Sequence, residues 1–352
     1  MNRLQAIRPF GQRIWLDNLS RDLLHSGELS RWINEDGIAG VTSNPAIFHK
    51  AIRDDARYAT ALLALKALPD LDAEQRYEQL VIPDIQAACD LLLDQYRASG
   101  GDDGYVSLEV SPELAHDEAG TLNAARRLWQ EIDRPNAMIK VPATAAGVAA
   151  LATLIHEGIN VNITLLFSLA QVEATWAAHE AGLRARLADG LPLGQVRSVA
   201  SFFLSRIDSL LDGQLPEALR GKTAVALARD VYARWQARLD SPAWAELSQA
   251  GAQPQWLLWA STGTKNPAYS DVLYVESLIG PRTVNTVPDA TLLAFRDHGV
   301  AADTLSDPAD SQAVLAGVAA AGVDVSAIGE QLQRDGLKLF DEAFAALLAL
   351  TA

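Results

Sequence analysis

The chain has 352 residues, a formal net charge of −15 and one cysteine; 49% of its residues are apolar and 21% charged. That balance suits a large globular core, the acidic surface disfavours nucleic acid and anionic lipid as partners, and one cysteine allows neither an intrachain disulfide nor a cysteine cluster for zinc or iron–sulfur chemistry. The N-terminus lacks the unbroken apolar stretch of a signal peptide and no run of about 18 apolar residues could span a membrane, so a cytoplasmic location is expected.

Along the chain, short runs rich in Val and Ile alternate with long helical patterns. Strands are expected at 13–17, 40–44, 105–110, 137–141, 159–164, 196–203, 256–261 and 283–287. Their compact apolar character suits strands buried on both faces. Between them, 72–98 is long enough for one or two helices, Asp117 is placed to cap a helix through Ile132, and 168–187 and 222–249 read as further helices. Strand and helix alternating eight times predicts an α/β fold, a (β/α)8 TIM barrel; an open doubly wound sheet is the alternative. The whole of 1–352 reads as one barrel domain. A helical insertion is expected at about 207–255 and a helical C-terminal extension at about 304–352. The extension is expected to pack on the outside of the barrel, the alternative being that it covers the mouth.

In such a barrel, chemistry sits at the C-terminal ends of the strands. There the chain places Asp17, Thr42-Ser43-Asn44, Glu109, Lys140, Asn162 with Thr164, Ser201, and Ser261-Thr262. Asn, Ser, Thr and Asp also form turns, which accounts for several of these. Turn chemistry does not account for Glu109 and Lys140, which interrupt apolar strand sequence, where a lone buried charge is costly. A catalytic pair explains both. An amine flanked by Met138, Ile139 and Val141 is placed to lose water, which favours its neutral, nucleophilic form. Taken alone, that segment would equally suit a buried lysine paired with a carboxylate.

The segments Gly40-Val41-Thr42-Ser43-Asn44-Pro45-Ala46-Ile47-Phe48, Met138-Ile139-Lys140-Val141-Pro142-Ala143-Thr144, and the run from Gly158 to Ser168 resemble, in order, the signatures of the transaldolase family. The resemblance runs from about Arg13 to Phe295. It implies a class I aldolase-like barrel that needs no metal or organic cofactor. The implied reaction moves a dihydroxyacetone unit from sedoheptulose 7-phosphate to glyceraldehyde 3-phosphate, giving erythrose 4-phosphate and fructose 6-phosphate in the non-oxidative pentose phosphate pathway. By that resemblance Lys140 is the Schiff-base lysine and Asp17 the acid/base at the cleaved carbon–carbon bond. Glu109 and Thr164 hold a catalytic water. Asn44 and Asn162 bind substrate hydroxyls, Ser201 and Phe203 line the dihydroxyacetone pocket, and Arg206 binds phosphate. The partners implied are small sugar phosphates, in a monomer or homodimer.

After strand seven the sequence departs from the family. Where many transaldolases carry an arginine shortly after a serine, this chain reads Ser261-Thr262-Gly263-Thr264-Lys265. Lys265 is the expected substitute cation, with Ser261 beside it, and a lysine offers a point charge rather than a planar fork. The longer loop resembles the subgroup sometimes fused to phosphoglucose isomerase, but no such domain follows and isomerase activity is not expected. Two rivals remain. In a fructose 6-phosphate aldolase, a tyrosine replaces Phe203 and the carboxylate of Glu109 is lacking. A sugar-phosphate sensor would have lost catalytic residues that are present here. Gly221-Lys222-Thr223 has the look of a phosphate loop, but Pro216 stands where the leading glycine belongs, so a helix start is expected. Cys89 and the scattered tryptophans read as core, His116 as part of a helix entry, and the histidines show no metal-binding spacing.

Overall fold

The computed structural model describes residues 2–306 and 310–352; residues 307–309 of the expected C-terminal extension lie outside them. Eight parallel strands follow one another around a closed barrel. They are β1 (Gln12–Leu16), β2 (Gly40–Thr42), β3 (Tyr105–Glu109), β4 (Ala137–Pro142), β5 (Val161–Leu166), β6 (Ser198–Phe203), β7 (Trp256–Ala260) and β8 (Thr283–Val287). Closure is made by β1 pairing with β8 from Gln12↔Thr283 to Leu16↔Val287. That closure excludes the open doubly wound sheet.

The strands are apolar on both faces because helices cover the outside while their own side chains fill the inside. Side chains alternate across each strand. Two hydrogen bonds fix which set points inward. Asn162 on β5 donates to Ser107 Oγ on β3, 3.1 Å away, past β4. Thr42 on β2 meets Thr286 on β8 at 2.7 Å, past β1. Each bond crosses the interior, so Ser107, Asn162, Thr42 and Thr286 face inward. By the two-residue period Glu109 and Thr164 do as well, and Lys140 follows from its cross-strand partners Glu109 and Asn162.

Polar residues just beyond the strands start the helices that return along the outside. The side chain of Asn44 accepts from Ile47 N, Thr144 from Gly147 N and Ser168 from Gln171 N, satisfying backbone donors that a first turn leaves free. Asp117 caps Glu118–Ile132 in the same way, as expected from its place in the sequence. Residues 72–98 form one helix, Ala73–Ala98, started by a capping box of Asp72 and Gln75 and continuous through Pro83. Thr223 opens a helix directly after Gly221 and Lys222.

Two expectations are corrected. The pattern read as one helix over 222–249 is two, Thr223–Leu239 and Pro242–Gln249. Pro242 lacks an N–H and clashes with a preceding helical turn, and Ser241 caps the new start by accepting from Trp244 N. The C-terminal extension does not simply decorate the outside. Its last helix, Val325–Thr351, runs over the C-terminal mouth of the barrel. Gln333 there donates to Ala143 O at 2.9 Å and Leu165 O at 3.1 Å, at the ends of β4 and β5. No single described helix is long and apolar enough to cross a membrane.

Candidate active site

Lys140, buried at the mouth, donates from Nζ to Glu109 Oε2 on the neighbouring strand and to Ser43 O, each at 3.2 Å. The register that sets Glu109 beside Lys140 on β3 and β4 makes this pair, and Asn162 lies beside Lys140 on the other side. Nζ also stands 5.4 Å from the centre of the Phe340 ring on the C-terminal helix.

Above the lysine is a cavity of 220 Å³. Of the residues singled out in the sequence, Asp17, Asn44, Lys140, Thr164, Ser201, Phe203, Arg206, Ser261 and Lys265 line it. Glu109 and Asn162 do not. Glu109 stands behind the lysine with Oε1 buried and unpartnered, and Thr164 Oγ1 is likewise buried and unpartnered. Asn162 is fully buried and does not line that cavity. Its Oδ1 accepts from Ser201 Oγ at 2.7 Å while its amide donates to Ser107, so it orients Ser201. Asn44 lends its Oδ1 to the helix start and lines the cavity. A larger cavity of 820 Å³ opens on the far side of Asp17, between Lys50 and Asp289. Of the two, Lys140 lines only the smaller.

Asp17 follows β1 and accepts from Thr42 Oγ1 at 2.7 Å. With that hydrogen committed, Thr286 donates to Thr42 in turn, a short chain that fixes the carboxylate. Burial raises the Asp17 pKa above the ordinary carboxylate value; the charge of Lys140, the Thr42 hydrogen bond and the charge of Lys265 oppose it. Burial also raises the pKa of Glu109, opposed by the charge and hydrogen bond of Lys140 and assisted by the nearby Asp17. The two acids therefore flank one amine in different settings. Glu109 is bonded to the amine; Asp17 faces the open cavity.

The other end of the cavity is cationic. Arg206 lies over the Phe203 ring, 5.3 Å from its centre, and burial alone lowers its pKa, with no carboxylate partner contributing. Lys265 is exposed at the rim, close enough for its charge to act on Asp17. Ser261 holds a left-handed backbone with φ 54° and its hydroxyl meets Ser205 Oγ at 2.8 Å. Leu165 holds φ 63° beside an irregularity in the β5–β6 pairing. Non-glycine residues rarely adopt such angles; two of the four that do among the described residues, Leu165 and Ser261, stand at the C-terminal ends of β5 and β7, the others being Asp133 and Arg282.

Sequence reasoning missed Thr286, Gln333 and Phe340. A threonine in an apolar strand and a phenylalanine in an apolar helix carry no signal of their own, because core packing explains each equally well.

Comparisons with known proteins find similar chains. A family profile for transaldolase/fructose-6-phosphate aldolase matches residues 14–351. A transaldolase of Neisseria gonorrhoeae is 55% identical over 350 residues, 99% of each chain. A transaldolase of Thiobacillus denitrificans is 50% identical over 357 residues, again 99% of each chain. A transaldolase of Parafrankia is 44% identical over 354 residues, covering 98% of this chain and 96% of the relative.

Proposed function

The chain belongs to the transaldolase/fructose-6-phosphate aldolase family, and from that premise we propose that it is a transaldolase working through a Schiff base on Lys140. It transfers a dihydroxyacetone unit from sedoheptulose 7-phosphate to glyceraldehyde 3-phosphate in the non-oxidative pentose phosphate pathway. The observation that carries the residue assignment is the buried Lys140 amine between two carboxylates, Glu109 bonded to it and Asp17 across the cavity. We place it in the cytoplasm, as a monomer or homodimer acting on small sugar phosphates.

An ordinary lysine is an ammonium near neutral pH and must give up a proton to attack a carbonyl. Glu109, at 3.2 Å, is the acceptor within reach. Its raised pKa brings it nearer to holding that proton. The amine then adds to the donor ketone carbon. Glu109 returns the proton to the carbinolamine oxygen, which leaves as water, and the iminium forms. Glu109 Oε1 and Thr164 Oγ1 supply the polar positions for a relay water.

Asp17 next takes the proton of the hydroxyl on the far carbon of the bond to be cut, the carbon that becomes the departing aldehyde. That carbon–carbon bond breaks, an aldose phosphate departs, and the electron pair passes into the imine to give an enamine on Lys140. The acceptor aldehyde enters, the enamine carbon attacks it, and Asp17 returns the proton to the new hydroxyl. Asn44 and Ser201 orient the hydroxyls of the retained unit, with Asn162 behind Ser201. Arg206 with Lys265 and Ser261 receives the phosphate, a bidentate fork joined by a point charge. Such a local cationic end lets an acidic protein accept an anionic substrate.

The assay is transfer from fructose 6-phosphate with and without erythrose 4-phosphate. Acceptor-dependent formation of sedoheptulose 7-phosphate supports the proposal. Rapid release of free dihydroxyacetone whether or not acceptor is present would replace it with an aldolase.

A further inference from the structure

We propose that Phe340 is a further specificity-determining residue of this reaction: its ring roofs the enamine carried by Lys140 against water, so that the bound three-carbon unit waits for an acceptor aldehyde instead of being protonated and released. The proposal rests on the transaldolase reading.

Phe340 is the residue that the C-terminal helix contributes to the lining of the reactive cavity. It is 8% exposed, and its ring centre stands 5.4 Å from Lys140 Nζ. The helix is seated closely enough to hold that ring in place. Gln333, about two turns earlier, is bonded to backbone carbonyls of Ala143 and Leu165. At Gly336 a Cβ would come within 2.9 Å of Leu165 Cδ2 and 3.3 Å of Arg206 Nη1, and at Gly329 within 2.7 Å of Ser168 Cβ. Those two glycines let the helix backbone approach the mouth more nearly than any side chain would permit. One end of the roof thus rests on the loop after β5, the other over the lysine, with Arg206 beneath its middle.

The chemistry explains what a roof does there. After the aldose phosphate leaves, the unit on Lys140 is an enamine. It can add to an aldehyde, or its nucleophilic carbon can take a proton relayed from Asp17 by a water molecule, which regenerates the iminium. If water then adds to the iminium carbon, the carbon–nitrogen bond breaks and free dihydroxyacetone and the lysine amine result, with no oxidant or reductant involved. Release of the transfer product needs the same hydrolysis, so the branch turns on whether water reaches the enamine carbon and brings it a proton before an aldehyde arrives. Excluding water from such a site suppresses this side reaction. An aldose acceptor enters from the cationic end, by Arg206 and Lys265, and is not blocked.

The full-length Phe340→Ala and Phe340→Leu variants test this with fructose 6-phosphate, with and without erythrose 4-phosphate. The quantity read is free dihydroxyacetone formed per sedoheptulose 7-phosphate formed, with borohydride-trapped adduct on Lys140 measured in parallel. The expected result is an adduct on both variants and a rise in that ratio of about tenfold for Phe340→Ala, with a smaller rise for Phe340→Leu. Should Phe340→Ala fail to fold, Phe340→Leu alone decides, since its shorter side chain stays apolar but leaves part of the roof open. An unchanged ratio in a folded variant that still forms the adduct overturns the role of Phe340. Absence of an adduct on the unsubstituted protein would instead overturn the transaldolase reading, so the two failures are separable.

Discussion

Asp17 and Glu109 are both raised by burial, yet only Asp17 opens onto the cavity, and this sets the acid side of the pH profile. A raised pKa means that the carboxylate form persists only above a higher pH than the ordinary value of about 4. Activity that needs Asp17 as a base should therefore fall as pH drops through that raised value, earlier than for a free carboxylate. Asp17→Asn should remove that acid limb and lower kcat by about 10²- to 10⁴-fold, while leaving the borohydride adduct in place. A pH–rate profile on both proteins checks it. At the phosphate end, Arg206→Ala should raise KM for fructose 6-phosphate by about tenfold to a hundredfold, the range for loss of a charge-assisted contact, with a smaller effect on unphosphorylated fructose. Steady-state kinetics on both sugars provides the test. Lys140 and Glu109 were legible in the sequence because they break apolar strands, where ordinary packing offers no reason for charge. Phe340 was not, because an apolar residue in an apolar helix reads as core until a neighbour such as Lys140 Nζ is found beside it.

At the level of elements, the sequence placed all eight strands, since they are short apolar runs, several rich in Val and Ile, closed by polar residues. It placed helix starts where a capping side chain stood alone before a periodic run, as at Asp117 and Ser168. It did not place the break at Ser241-Pro242, where the apolar pattern continues across the proline. Nor did it place the C-terminal helix. A sequence period gives the face that is buried but not the surface that buries it, and that helix has found the mouth. Ser168 joins both stories, because it caps Leu169–Ala188 and packs against Gly329 of the C-terminal helix. Ser168→Ala should cost about 1 kcal/mol, the usual loss of a cap, seen as a lower urea midpoint at unchanged slope. A larger loss with a changed slope would mean that the C-terminal helix had detached as well.

For the molecule as a whole, we propose that 1–352 acts as one domain, the insertion and the extension being parts of the barrel's packing. Circular dichroism and tryptophan fluorescence should then report the same thermal midpoint, and two separated midpoints would divide it. That unity matters for function, because the last helix of the chain roofs a site whose nucleophile lies on β4. The barrel, the pair at β3–β4 and the cationic rim all converge on one amine. Borohydride reduction in the presence of fructose 6-phosphate, followed by peptide mass spectrometry, addresses that amine directly. A reduced three-carbon adduct is expected on Lys140 and on no other lysine, and none on Lys140→Met. An adduct elsewhere, or normal transfer activity in Lys140→Met, would contradict the account.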